Sequence, residues 1–192
     1  PKAPFNYKAP FSPIDVIEEY TRPARMMING KLVTKPALSD IEILNFNNDI
    51  KLEAFNTDGL RSLLQTMYHI NNMSEKTLRF PGHAKLIKEY IKEDILQSEK
   101  TIEYLFNEWK LETDEPEFTI LKVKIETGEK TINYELFDEF DKTSRTSSMA
   151  RTTGYTATAA INLILEGLFD DKGVFAPESV CRNKNIFDFI LD

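Results

Sequence analysis

Arg79 and His83 stand close together in Lys76-Thr77-Leu78-Arg79-Phe80-Pro81-Gly82-His83, where apolar-polar alternation gives way at Pro81-Gly82 to helical spacing. A strand is therefore expected to end near Arg79 and a helix to begin near His83. An arginine at a strand end can hold a substrate carboxylate through two parallel N–H···O bonds. An imidazole, whose ordinary pKa lies near neutrality, can act as general acid or base. The competing uses are plain ones: Arg79 as an exposed strand residue or an ion-pair partner of Glu53 or Glu75, and His83 as a solvated or capping residue. Asn56-Thr57-Asp58-Gly59 is a second candidate. It joins a strand to an expected helix start, where unpaired N–H groups and the helix dipole favour an anion. Capping by Thr57 or Asp58 is the alternative, and Asp58 would then itself occupy the anion position.

A third segment runs from Ser148 through Met149-Ala150-Arg151-Thr152-Thr153-Gly154 to Gly167. It reads as a buried helix in which Ala150, Gly154 and Thr158 share one face. A helix-interior glycine costs about 1 kcal/mol relative to alanine, so Gly154 predicts close approach of a ligand or a neighbouring element, packing being the commoner cause. Other chemistries find little support. His69 and His83 lie too far apart for a same-helix metal pair, and no carboxylate cluster has ligand spacing, so no metal site is expected. Cys181 is the single cysteine and has no histidine near it in sequence. Neither Gly-x-Ser-x-Gly, Gly-x-Gly-x-x-Gly nor a P-loop occurs among the seven glycines.

The elements that must position these residues follow from patterning. Pro13 opens a helix behind Ser12 as N-cap, ending near Thr21. Asn29-Gly30 between Met26-Met27-Ile28 and Lys31-Leu32-Val33 is a type I′ hairpin signal. Strands follow at 40–46 and 51–55. Leu60, Leu63, Leu64, Met67 and Tyr68 make an apolar helical stripe behind Thr57-Asp58. After the strand through Phe80, helices bury Ala84, Ile87 and Ile91, then Ile102, Leu105, Phe106 and Trp109. Phe118 to Glu126 and Thr131 to Phe140 form a long hairpin, with a bulge suggested by Ile120-Leu121. Gly167 closes the small-residue helix, and an amphipathic helix starts at Asn183. Hairpins mixed with helices define an α+β fold: a mostly antiparallel or mixed sheet of about six strands with helices on one face.

The formal charge of −7 argues against nucleic acid as the main partner. No apolar run approaches the roughly 20 residues of a membrane span, and the lone cysteine fits a reducing, cytoplasmic setting. The chain has 192 residues, no initiator Met and an opening Pro1-Lys2-Ala3-Pro4-Phe5 that reads as mid-chain linker, so a fragment of a longer protein is expected.

Three blocks, Glu53-Ala54-Phe55-Asn56-Thr57-Asp58-Gly59-Leu60-Arg61, Lys76 to His83 and Ser148 to Gly154, together resemble the saccharopine dehydrogenase-like family, nearest its lysine 6-dehydrogenase branch. Pro4-Phe5-Asn6-Tyr7-Lys8 and Glu19-Tyr20-Thr21-Arg22-Pro23-Ala24 agree, and almost the whole chain is covered. The resemblance implies an NAD(P)-dependent oxidoreductase that moves hydride to or from an amine-bearing carbon through an imine, with NAD or NADP bound mainly by a Rossmann domain preceding this segment. Residues 1–192 would then be the substrate-binding and dimerisation domain. On that footing Arg79 binds an amino-acid carboxylate, Asn56, Thr57 and Thr153 supply polar contacts, Gly154 admits substrate or nicotinamide, and His83 is the candidate proton-transfer residue. The absent dinucleotide fingerprint makes the isolated chain an inactive one in this scheme. A homodimer joined through the sheet is expected, because helices on one side leave the other face needing cover. A non-catalytic dimerisation module is the competing function.

Overall fold

The computed structural model describes residues 2–46 and 49–191. The chain divides into two compact units, Pro1–Leu111 and Glu112–Asp192. The α+β expectation holds, but the strands do not pool into one sheet. Among the described residues they form three antiparallel sheets of two, three and two strands.

In the first unit, α1 (Pro13–Thr21) starts with proline in its first turn, where a missing N–H costs nothing. Ser12 stands at the N-cap without a side-chain bond. Val16 and Tyr20, one turn apart, are its buried residues. β1 (Ala24–Ile28) and β2 (Lys31–Lys35) pair in register from Ala24↔Lys35 to Ile28↔Lys31. Asn29 and Gly30 have φ of 50° and 74°, the two left-handed residues that a type I′ turn requires.

The three-stranded sheet comprises β3 (Glu42–Asn45), β4 (Lys51–Asn56) and β5 (Lys76–Arg79), with β4 central. β4 is buried from Leu52 to Asn56, on both faces, where the sequence pattern suggested a half-exposed strand. The helix expected from Thr57 onward shrinks to a single turn, α2 (Leu63–Thr66). Asp58 has other partners, described below, and Arg61 takes φ 49°, which breaks a right-handed helix before it can propagate. α3 (His83–Lys92) follows β5 after Phe80-Pro81-Gly82, and a 3₁₀ turn (Ile95–Gln97) leads into α4 (Glu99–Trp109). Val16, Tyr20, Leu38, Phe55, Ile87, Leu105 and Trp109 meet in the main core, joined by Phe5 and Ala9 of the N-terminal segment. Ala24, Met26 and Leu60 form a smaller core.

In the second unit β6 (Phe118–Glu126) and β7 (Thr131–Glu139) pair without interruption from Phe118↔Glu139 to Glu126↔Thr131. No bulge occurs at Ile120-Leu121; the two side chains fall on opposite faces and pair with Phe137 and Leu136. α5 (Ser148–Leu165) is capped by Ser147, whose Oγ accepts from Ala150 N–H at 3.1 Å, and Gly167 closes it with φ 70°. Its burial departs from expectation. Only Ser148 and Leu163 are buried, and a Cβ on Gly154 would meet no atom within 4 Å. The hydroxyl of Thr158, on the Gly154 face, donates back to the Gly154 carbonyl, so it is satisfied within the helix without a neighbour. α6 (Pro177–Val180) and α7 (Lys184–Leu191) complete the unit.

Candidate functional site

The period of two along β4 and β5 sets the site. In the register Glu53↔Arg79 and Phe55↔Thr77, opposed residues share a face, so Glu53, Phe55, Thr77 and Arg79 all stand on one side of the sheet. Glu19 and Tyr20 near the end of α1 reach that side.

Arg79 sits in a cage of aromatic and acidic groups. Its guanidinium lies over the Tyr7 ring at 4.2 Å, its Nε donates to Tyr20 Oη at 2.8 Å and its Nη1 to the Leu78 carbonyl at 2.8 Å. Glu19 Oε2 is 3.8 Å from Nη2. These two hydrogen bonds use only part of a guanidinium's five-donor fork, and stacking fixes its plane. The side chain is 14% exposed. Its partners are therefore Glu19 and Tyr20, not the Glu53 or Glu75 considered from sequence.

His83 takes a different place from that expected of an acid–base group. It is 2% exposed, and both ring nitrogens are occupied. Nδ1 lies 3.0 Å from the Phe5 carbonyl, which only accepts, so the proton is on Nδ1. Nε2 then accepts from Tyr20 Oη at 3.0 Å. The chain runs Arg79 Nε–H to Tyr20, Tyr20 O–H to His83, and His83 Nδ1–H to Phe5. Burial pushes the imidazole down to about 4, the Phe5 bond opposing this and the Arg79 charge adding to it. Burial pushes the Tyr20 phenol far up, which keeps it a donor. His83 is thus a neutral residue, bonded at both ring nitrogens, that holds Tyr20 and, through it, Arg79.

Glu53, unremarked as a site residue in the sequence, fixes the start of α3. Its carboxylate accepts from Gly82 N–H at 3.0 Å and Ala84 N–H at 2.6 Å, taking the orphan donors at that helix end. Its legible signal was a lone acid in the apolar run Leu52 to Phe55. Asp58 does not cap a helix or leave room for an anion. It is gripped by Arg25 at 3.0 and 2.9 Å, receives Arg25 N–H at 3.1 Å, and pairs with Arg22 at 3.3 Å. The Arg25 bonds hold its carboxyl below the ordinary range against the effect of burial.

Of the other predicted residues, Thr57 lies on the Arg79 side of the sheet and bonds to its neighbours there. Its Oγ1 is 2.7 Å from Glu75 Oε2 and 2.8 Å from Thr77 Oγ1, and Thr77 in turn bonds Glu19. Asn56 is buried, and its amide donates to Ser39 Oγ at 2.9 Å and Asp40 Oδ2 at 3.0 Å, so it latches the loop before β3. Thr153 and Gly154 lie on α5 in the second unit, Thr153 exposed. Close backbone approach occurs at Gly59 instead: its N–H donates to Glu75 Oε2 at 3.0 Å, and a Cβ there would lie 2.5 Å from Glu75 Cδ.

The first unit is therefore an α+β scaffold that presents a stacked, partly engaged arginine beside a hydroxyl-linked pair of carboxyls. Residues 1–192 match the saccharopine dehydrogenase C-terminal domain throughout, and the chain belongs to that family, a domain of an oxidoreductase family. Among solved structures it is similar to apo histidine-tagged saccharopine dehydrogenase (L-Glu forming) from Saccharomyces cerevisiae, with a TM-score of 0.70 and 18% identity. The match takes in 97% of this chain and 59% of that one, a likeness of fold.

A nicotinamide dinucleotide is the cofactor such a family implies. The described residues do not fit it. All three sheets are antiparallel, with no βαβ unit and no glycine-rich strand-to-helix turn to cradle a pyrophosphate. Nor does any group of three or more His, Cys, Asp or Glu among the described residues have metal-holding geometry. No helix among them is long and apolar enough to cross a membrane.

Proposed function

We propose that this chain is the substrate-binding domain of an NAD(P)-dependent oxidoreductase acting on the C–N bond of an amino acid of lysine or saccharopine type, with the dinucleotide held by a Rossmann domain elsewhere in the polypeptide. Arg79 carries the proposal. It is the one described arginine whose guanidinium is stacked on an aromatic ring, hydrogen-bonded to neutral oxygens, flanked at 3.8 Å by a single carboxylate, Glu19, and still left with N–H groups to offer. Such a fork binds a carboxylate in a fixed plane, and lysine does not reproduce it. The role of this chain in a hydride transfer through an imine is to bind and orient the amino acid; His83 holds Tyr20, and Tyr20 holds Arg79.

The test is steady-state kinetics of the complete enzyme carrying Arg79→Lys or Arg79→Ala. A hydrogen bond to a charged group contributes about 1.5–3 kcal/mol, so Arg79→Ala should lower kcat/KM for the amino acid by roughly ten- to a hundredfold. Arg79→Lys should lower it by a smaller factor, and KM for the dinucleotide should stay unchanged in both. Unaltered amino-acid kinetics in a folded Arg79→Lys enzyme would remove Arg79 from the substrate site.

A second role, homodimerisation, is supported by the β6–β7 hairpin. The register puts Leu121, Val123, Ile125, Ile132, Tyr134 and Leu136 on one face, five of them at 39–54% exposure. The opposite face carries the Lys122–Glu135 ion pair. An uncovered apolar sheet face of this kind marks an interaction surface. Val123→Glu should shift the sedimentation coefficient of the chain from dimer to monomer without loss of helical signal. A wild-type chain that sediments as a monomer at high concentration would dispose of this role.

A further inference from the structure

Four side chains beside Arg79 form a continuous row whose protons can be counted. Glu19 Oε1 bonds Thr77 Oγ1, Thr77 Oγ1 lies 2.8 Å from Thr57 Oγ1, and Thr57 Oγ1 lies 2.7 Å from Glu75 Oε2. Each of these three oxygen–oxygen contacts is too close to stand without a proton between its oxygens. Each hydroxyl owns one proton. With both carboxyls ionised, the row would hold two protons for three contacts, and two lone pairs would face each other. One carboxyl must bring the third.

We propose that Glu19 and Glu75 share a single proton along the Thr77–Thr57 hydroxyl pair and that this row is the proton store of the Arg79 site. The resting arrangement runs Glu75 O–H to Thr57, Thr57 O–H to Thr77, and Thr77 O–H to the Glu19 carboxylate. Glu19 is the ionised end because it faces the Arg79 guanidinium. A shift of each proton by one contact leaves Glu75 a carboxylate, both hydroxyls intact and Glu19 the neutral acid. No proton is created or lost, and the transferable one now stands beside Arg79. Burial raises the Glu75 carboxyl above its ordinary value; the Thr57 and Gly59 bonds oppose this, and the charges of Glu19 and Asp58 add to it. The other charged or titratable groups facing the row are Arg79, Tyr7 and Tyr20 at the Glu19 end, and Asp58 with Arg22 and Arg25 at the Glu75 end. Thr57 is 2% exposed, so solvent does not interrupt the row at its centre.

Use of the stored proton on a substrate nitrogen rests on the substrate-binding reading, but the shared proton itself does not. It is tested in the 192-residue chain without ligand. The infrared carbonyl stretch of a protonated carboxyl, shifted in heavy water, should be present at pH 7 in the wild type and absent in Glu75→Gln, and Glu42→Gln should leave it in place. Glu75→Gln should lower the urea midpoint less than Glu75→Ala, because its amide N–H still supplies the third hydrogen to Thr57 while only the acceptor for Gly59 N–H is lost. Absence of the band at pH 7 in the wild type, or its persistence in Glu75→Gln, would overturn the shared proton. In the complete enzyme, the pH profile of amino-acid kcat/KM should lose one limb in Glu75→Gln. An unaltered profile would deny the row its use in turnover while leaving the infrared result standing.

Discussion

Removing the titratable ring of His83 isolates the electrostatic consequence of burying it neutral. A histidine with an ordinary pKa of 6.5 in the unfolded chain and about 4 in the folded one binds a proton more readily when unfolded. Between those values the unfolded state holds the extra proton, so stability rises with pH. The contribution is complete above about pH 6.5 and is lost as pH falls toward 4. At about 1.4 kcal/mol per pH unit, the difference of 6.5 − 4 corresponds to about 3 kcal/mol across the window. Glu75 acts in the opposite sense: its raised carboxyl makes the folded state the better proton acceptor, which favours folding as pH falls. The contribution of His83 is therefore read by difference. Urea midpoints of wild type and His83→Gln, taken every half unit from pH 4.5 to 7.5, should show a wild-type slope steeper by up to about 1.4 kcal/mol per pH unit. The absolute stability of the variant does not enter. Equal slopes, or an imidazole carbon resonance titrating near 6.5 in the folded wild type, would contradict the neutral, doubly bonded ring.

Two glycines should respond in opposite directions. Gly59→Ala would push a Cβ into Glu75, break the Gly59 N–H bond and disturb the hydroxyl row; thermal melting should register a loss of about 1–3 kcal/mol, the usual cost of overpacking. Gly154→Ala fills open space in mid-helix and should raise stability of the second unit by up to about 1 kcal/mol, followed by the urea midpoint of its helical signal. A destabilised Gly154→Ala would reinstate the close approach that the sequence suggested.

The elements governed by local chemistry were legible. Asn29-Gly30 dictates its own turn, Pro13 its helix start, and the alternation from Phe118 to Glu139 its hairpin. What could not be read depends on contacts made far along the chain. Asp58 in sequence is a helix cap; only folding brings Arg22 and Arg25 to it, and that ion cluster removes the anion site expected there. His83 next to Pro81-Gly82 reads as a surface residue, yet Phe5 and Tyr20, distant in sequence, enclose it. Arg79 stands out because a strand-end arginine is conspicuous, but Tyr7, Glu19 and Tyr20, which hold its guanidinium, carry no mark of that contact in a single sequence. Gly154 shows the converse failure. Small residues in a sequence imply contact, whereas here the Thr158 hydroxyl bonds back into its own helix and Gly154 faces open space.

The N-terminal segment and the end of α4 form a clasp with implications for how this unit can be wired. Ala9 N–H donates to the Trp109 carbonyl at 2.7 Å, Lys8 Nζ donates to the Lys110 carbonyl at 2.8 Å, and Phe5 and Trp109 rings pack 5.6 Å apart. Entry and exit of the first unit therefore lie side by side, as the two ends of a closed ring. Chain order is then separable from architecture: joining residues near 2 and 111 by a short linker and reopening the ring at the exposed Asn29-Gly30 turn would reroute the polypeptide while leaving Arg79, its aromatic cage and the carboxyl row in their places.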